Sequence, residues 1–263
     1  MGVAVETAER FVQVPGGAVY VKGWKPTSAG SGAPLVLLHD SLGCVEMWRA
    51  FPGELAQRLG RNVVAYDRLG FGRSAARAAL PSVHFVSEEA ETCLPAVLAA
   101  LGLKKVVLFG HSVGGSMAVV SAGRLAEACE AVVTESAQAF VEEHTRENIR
   151  RAQAVFAAVG SLERLRKYHG DKAPWVLNAW TEVWLSPQFA GWNLQAELPQ
   201  VHCPLLAIHG ERDQYGSRRF PEMLCKLAGG RAEQLLIPDC GHIPHREARH
   251  TVLEAVARFL QDS

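Results

Sequence analysis

The chain predicts an α/β fold: a mostly parallel sheet covered on both faces by helices, with a helical insertion late in the sequence. Three observations predict it. Short, wholly apolar runs such as Leu35–Leu38 and Val106–Phe109 alternate with longer stretches of helical periodicity. That alternation stops between about residues 137 and 200, where the pattern is helical throughout and four of the six tryptophans gather: Trp175, Trp180, Trp184 and Trp192. Between one apolar run and a helix-like run stands Gly110-His111-Ser112-Val113-Gly114, a serine flanked by glycines at a tight strand-to-helix turn.

The elements follow in order. Residues 11–14 and 18–24 read as two strands of a hairpin joined by Pro15-Gly16-Gly17. A buried strand is expected at 35–39, a helix from about 46 to 59, a strand at 62–66 and then a glycine-rich turn. A helix over about 87–101 contains Pro95, which should weaken or kink it. Strands at 106–109 and 131–134 flank the serine turn and its helix. After the insertion come strands at 204–209 and 234–237 and a last helix over about 247–260. The expected division is a core in two parts, residues 1–136 and 201–263, with a helical cap over 137–200. In open α/β sheets such an insertion lies over the carboxyl ends of the strands, where ligands bind.

Composition narrows the function classes. The 263 residues balance 27 Lys and Arg against 27 Asp and Glu, so nothing favours nucleic acid or an anionic membrane surface as a partner. The start, Met1 to Glu6, has neither the basic nor the apolar region of a signal peptide, and Gly2 lacks the Ser or Thr at position 6 that myristoylation prefers. The absence of targeting makes a cytoplasmic location the default expectation. Six scattered cysteines form no C-x-x-C pair, so reduced thiols are expected rather than a metal site. The sequence carries no specific signal for oligomeric state.

A serine hydroxyl is a weak nucleophile until a base takes its proton and a third group orients the base. Glycines at 110 and 114 allow strand and helix to pass close to the turn, which lifts Ser112 to its crest at a helix N-terminus. Asp213, just after a late strand, and His242, in the loop after the last strand, complete the order Ser, acid, His. Glu135, Glu211 and Asp239 are the rival acids, and a turn role is expected for Asp239. Among ten histidines, His39 reads as structural, and His245 and His250 are placed at or on the last helix. The oxyanion hole is expected from the backbone N–H of Val113 and that of Ser41, with Asp40 N–H as the alternative to Ser41. Asp40, Leu42, His111, Trp180 and Trp184 are the expected substrate-lining residues.

Leu37-Leu38-His39, the turn Asp67-Arg68-Leu69-Gly70-Phe71-Gly72-Arg73-Ser74, Gly110–Gly114, Gly210–Asp213 and Gly241-His242 together resemble the α/β-hydrolase superfamily over essentially the full chain. The resemblance implies an eight-stranded, mostly parallel sheet flanked by helices with a helical cap. It also implies hydrolysis through an acyl-serine, with no cofactor and no metal. Serine at the elbow argues against the haloalkane dehalogenases and epoxide hydrolases, whose relatives carry Asp there. One departure stands out: the family usually has His-Gly where this chain has His39-Asp40. Aspartate tolerates left-handed backbone, but its charge would oppose an oxyanion if it faced inward. The side chain is therefore expected to turn away and bond to the local backbone. A small, ester-like substrate with an apolar acyl or alcohol group is the first reading. Carbon–carbon bond hydrolysis of a ring-cleavage diketone, thioester hydrolysis and binding without turnover are the alternatives; a complete ordered triad favours an enzyme.

Overall fold

β1 (Val5–Val14) and β2 (Gly17–Pro26) pair antiparallel across the two-residue turn Pro15-Gly16. This computed structural model describes residues 4–28, 30–158 and 160–261; the Met1-Gly2 start considered above lies outside them. β1 extends six residues further toward the N-terminus than the sequence suggests. Those residues are half-buried or exposed, so pairing with β2 rather than an apolar pattern keeps them extended.

The remaining strands are β3 (Leu35–Leu38), β4 (Val63–Tyr66), β5 (Val106–His111), β6 (Cys129–Glu135), β7 (Leu205–Gly210) and β8 (Ala232–Ile237). They form one eight-stranded sheet in the order β1-β2-β4-β3-β5-β6-β7-β8, parallel from β4 onward. Its helices are α1 (Phe51–Leu59), α2 (Phe85–Glu88), α3 (Leu94–Leu101), α4 (Val113–Leu125), α5 (Glu143–Phe156), α6 (Glu163–His169), α7 (Ala173–Leu185), α8 (Arg219–Leu227), α9 (Pro244–Glu247) and α10 (Arg249–Gln261). α5, α6 and α7 all lie between β6 and β7.

The alternation of side chains along each strand explains the two cores. Val36, Leu38, Leu108, Val132 and Leu205 point to one face and pack with Leu94, Val97, Met117 and Val120. Leu35, Leu37, Val107, Phe109 and Val133 point to the other and meet Phe51, Leu55, Val252 and Phe259. Each such side chain, fully removed from water, contributes about 1.5–3 kcal/mol. Because both faces are covered, the strands read as continuous apolar runs.

Two expected helices are interrupted. Residues 85–101 are helical throughout, but Glu89–Cys93 forms a π-helix between α2 and α3. Pro95 lacks an N–H and crowds the carbonyl four residues back, and the wider turn just before it accommodates both effects. The 46–59 stretch is a 3₁₀ turn, Val45–Trp48, and then α1, separated at Arg49 with φ 54°. The Asp67–Ser74 turn is structural. Its Asp67 carboxylate accepts from Val45 N–H (2.6 Å) and Arg73 N–H (2.7 Å), and Ser74 Oγ accepts from Tyr20 N–H (2.8 Å). All six cysteines are free. Among the described residues no helix is long and apolar enough to cross a membrane.

Candidate active site

The site lies at the carboxyl ends of β3, β5, β6, β7 and β8. Ser112 follows β5 and caps α4, with φ 56° and ψ −128°. A non-glycine residue in that region costs roughly 1–3 kcal/mol and needs its surroundings to hold it. The surroundings are unusually close. A Cβ at Gly110 would lie 2.1 Å from the Gly114 carbonyl oxygen, and one at Gly114 would lie 2.2 Å from that of Leu38. Only glycine at both positions lets β5, β3 and α4 converge under the serine.

Three side chains from separate segments meet there. His242 Nε2 is 3.0 Å from Ser112 Oγ, and His242 Nδ1 is 2.8 Å from both carboxylate oxygens of Asp213. An ionised carboxylate only accepts, so Nδ1 carries the proton and Nε2 presents a lone pair to the hydroxyl. Burial pushes the Asp213 carboxyl up, but the His242 ring beside it, with His209 and Tyr215 N–H, outweighs that and holds it below its usual value. The three residues are 5%, 7% and 9% exposed, so little water competes for these bonds.

The rival acids are occupied elsewhere. Glu135 Oε2 bonds His245 Nδ1 at 2.5 Å. Glu211 is exposed, and Asp239 sits in a turn with φ 58° and pairs with Arg212. His39 is structural: its Nδ1–H donates to Asp40 carbonyl (2.8 Å), and its Nε2 accepts from Arg68 N–H (3.1 Å). His250 is exposed at the start of α10. His245 differs from expectation: it is buried in α9, before the last helix, because its ring fills the space between Trp48, Phe51 and Glu135.

The expected amide donors sit in suitable local structure. Val113 opens α4, and amides of a first turn have no acceptor within the helix. The segment after β3 is a tight turn in which Gly43 N–H donates to Asp40 carbonyl (3.2 Å) and Leu42 N–H to Asp40 Oδ1 (2.7 Å). Ser41 N–H lies between those two bonds and takes part in neither.

Asp40 bonds to the local backbone as expected, yet it does not leave the pocket wall. Its second oxygen is 3.3 Å from His111 Nδ1, and its side chain is a quarter exposed. Burial pushes its carboxyl up, but the His111 contact prevails and holds it well below the usual carboxylate range.

A cavity of about 180 Å³ opens above Ser112. Asp40, Ser41, Leu42 and His111 line it from the core, and Trp180 and Trp184 line it from α7 with Thr145 and Ile149 from α5. Its exposed lining is mainly apolar. Trp175 and Trp192 pack elsewhere, against Phe71 and Phe189 respectively. Sequence reasoning missed Gln138 and Tyr215. Gln138 Nε2 donates to Ser112 Oγ at 3.2 Å, and the Tyr215 ring stands edge-on to His242 at 5.0 Å. Only their places after β6 and β7 could have signalled them.

His111, Glu135 and His245 place donor atoms within 4.8 Å of one another. The ring nitrogens of His111 already face other oxygens, Asp40 Oδ2 at 3.3 Å and the His242 carbonyl at 2.8 Å.

A model described as the alpha/beta hydrolase family matches residues 35–255. A pig (Sus scrofa) 1-acylglycerol-3-phosphate O-acyltransferase, ABHD5, is 39% identical over 85 residues, 32% of this chain and 24% of that protein. The match therefore spans about a quarter of the pig protein. Proline iminopeptidase of Mycobacterium smegmatis superposes with a TM-score of 0.78 at 20% identity, covering 97% of this chain and 98% of that one. Carboxylesterase CesB of Bacillus subtilis gives 0.72 at 23% identity, covering 98% and 93%. At such identities the structural likeness bears on the fold.

Proposed function

From the premise that the chain belongs to the alpha/beta hydrolase family, we propose that it is a serine hydrolase cleaving a carboxylic ester or lactone of a small, largely apolar substrate. The observation that carries this reading is the Ser112–His242–Asp213 line, with contacts of 3.0 and 2.8 Å, beneath an apolar cavity.

His242 Nε2 accepts the proton of Ser112 as Oγ attacks the ester carbon. The carbonyl oxygen, now negative, receives the amides of Val113 and Ser41; each such donor is worth about 10²–10³ in rate. His242 then protonates the departing alkoxide, leaving an acyl-serine. Water loses a proton to His242 and attacks the acyl carbon; the acyl–Oγ bond then breaks, Ser112 Oγ takes that proton back from His242, and the acid leaves. Asp213 keeps the imidazole in the required tautomer and stabilises the imidazolium between these steps. Residues 137–200 act as a cap, with Trp180 and Trp184 receiving the apolar group.

A panel of p-nitrophenyl esters of rising acyl length tests this, with Ser112→Ala as the blank. Ser112-dependent turnover with a chain-length optimum is the expected result. Labelling of Ser112 by an organophosphonate without turnover of any ester would redirect the reading to thioester or carbon–carbon bond cleavage. No labelling at all would end it.

A further inference from the structure

We infer that Asp40 and His111 form a charged brace that holds the oxyanion loop in register with the loop carrying His242, which makes both of them positioning residues. The role assigned to the brace rests on the serine-hydrolase reading.

The charge state follows from contacts. His111 Nε2 is 2.8 Å from the His242 carbonyl oxygen, and Nδ1 is 3.3 Å from Asp40 Oδ2. A carbonyl oxygen only accepts, and an ionised carboxylate facing the other nitrogen favours a proton there, so in the proposed brace both ring nitrogens carry hydrogen. His111 is therefore an imidazolium, and it is 2% exposed. Burial opposes that charge, but Asp40 and Glu135 outweigh it and raise His111 to about 9.

The brace joins three segments. Asp40 Oδ1 fixes Leu42 N–H and so sets the turn that aims Ser41 N–H, and Arg68 Nη2 holds the Asp40 carbonyl at 2.8 Å. His111 belongs to the elbow. Its other bond reaches the backbone of the proposed base. The pair also answers the difficulty that Asp40 creates. A carboxylate beside a developing oxyanion opposes it, and the imidazolium cancels that field locally.

Every neighbour of His111 bears on its titration. Asp40 faces it from the turn after β3, Glu135 from β6, the His242 carbonyl from the loop after β8, and His245 from α9. Trp48 closes the remaining side, edge-on at 6.2 Å. The two carboxylates and the His242 carbonyl favour the proton, and a charge on His245 opposes it.

Histidine-¹⁵N NMR reads the brace whatever the substrate. With the ring assigned by its loss in His111→Gln, both nitrogens should be protonated at pH 7.5. One proton should leave near pH 9, and at least one pH unit lower in Asp40→Asn. Ester turnover, or the rate of Ser112 phosphonylation, reads the role. Asp40→Asn keeps the acceptor for Leu42 N–H and should still lose about tenfold or more in kcat with little change in KM, and the alkaline limb should move down with the NMR titration. The double variant should lose no more than the worse single one. A neutral His111 ring at pH 7.5 would overturn the proposal. So would Asp40→Asn and His111→Gln each staying within about threefold of the parent with an unmoved alkaline limb, whereas an unlabelled Ser112 beside a charged His111 would overturn only the hydrolase reading.

Discussion

Asp213→Asn isolates the orienting group with almost no change in shape. The Asp213 side chain has no exposed surface, and both its oxygens are 2.8 Å from His242 Nδ1, so no water can replace it. An amide there can place its NH₂ against Nδ1. The ring would then keep its proton on Nε2, pointing at Ser112 Oγ, and could no longer accept the serine proton. Loss of one charge-assisted bond is worth about 1.5–3 kcal/mol. The wrong tautomer is the larger effect, about 10⁴ in kcat where an isosteric amide has been placed behind a catalytic histidine, or about 5.4 kcal/mol. The assay is p-nitrophenyl ester turnover with active-site titration, so that misfolded enzyme is not counted. Glu135→Gln is the control, because that carboxylate is taken up by His245; its loss should be at least a hundredfold smaller. A loss below tenfold in Asp213→Asn would refute the orienting role, and a larger loss in Glu135→Gln would move that role to Glu135.

Other outcomes follow from single contacts. Gly114→Ala places a Cβ 2.2 Å from the Leu38 carbonyl oxygen and 2.6 Å from that of His39, both backbone, so it should cost about 3 kcal/mol or more in a denaturant titration and abolish Ser112 labelling; normal stability would mean that the elbow is looser than described. Folding raises His111 from its ordinary 6.5 to about 9, so its contribution is full below about pH 6.5 and is lost as pH rises through 9. That contribution is worth about 3 kcal/mol, and denaturant titrations of the parent and His111→Gln at pH 6.5 and 9.5 should converge at the higher pH. Trp180→Ala opens the cavity wall beside Tyr215, so the preferred acyl chain should lengthen by about two carbons; an unchanged optimum would remove Trp180 from the acyl site.

Much of this architecture was legible because parallel strands buried on both faces leave little ambiguity. Leu35–Leu38 and Val106–Phe109 have no polar residue to hide, and each turned out to be a central strand. Strands at the margins were harder. Residues 5–10 of β1 are half-buried or exposed and are extended only because β2 pairs with them, a fact held in residues 21–26 of the partner strand rather than in their own pattern. Ser112, Asp213 and His242, which the fold brings into hydrogen-bond contact, could be expected to meet because their positions relative to strand ends follow from chain order. Gln138 could not, since an amide three residues beyond a strand carries no local mark. The partner of Asp40 was hidden for a related reason. The sequence shows a carboxylate where glycine is usual, but the register of β3 against β5 is what brings it to His111.

The order of strands also decides how the protein would fail on heating. Ser112 rises from β5, which is hydrogen-bonded on both sides, whereas Asp213 and His242 hang from β7 and β8 at one flank of the sheet. β8 has a single neighbour, and only Ile237 among its residues is fully buried. Such a flank frays at lower free energy than the interior. Ser112 and His242 are therefore anchored to parts of the molecule that should loosen at different temperatures. Catalytic silence should precede the collapse of secondary structure, with turnover falling below the midpoint seen by circular dichroism. A ligand spanning the cleft would draw the two events together.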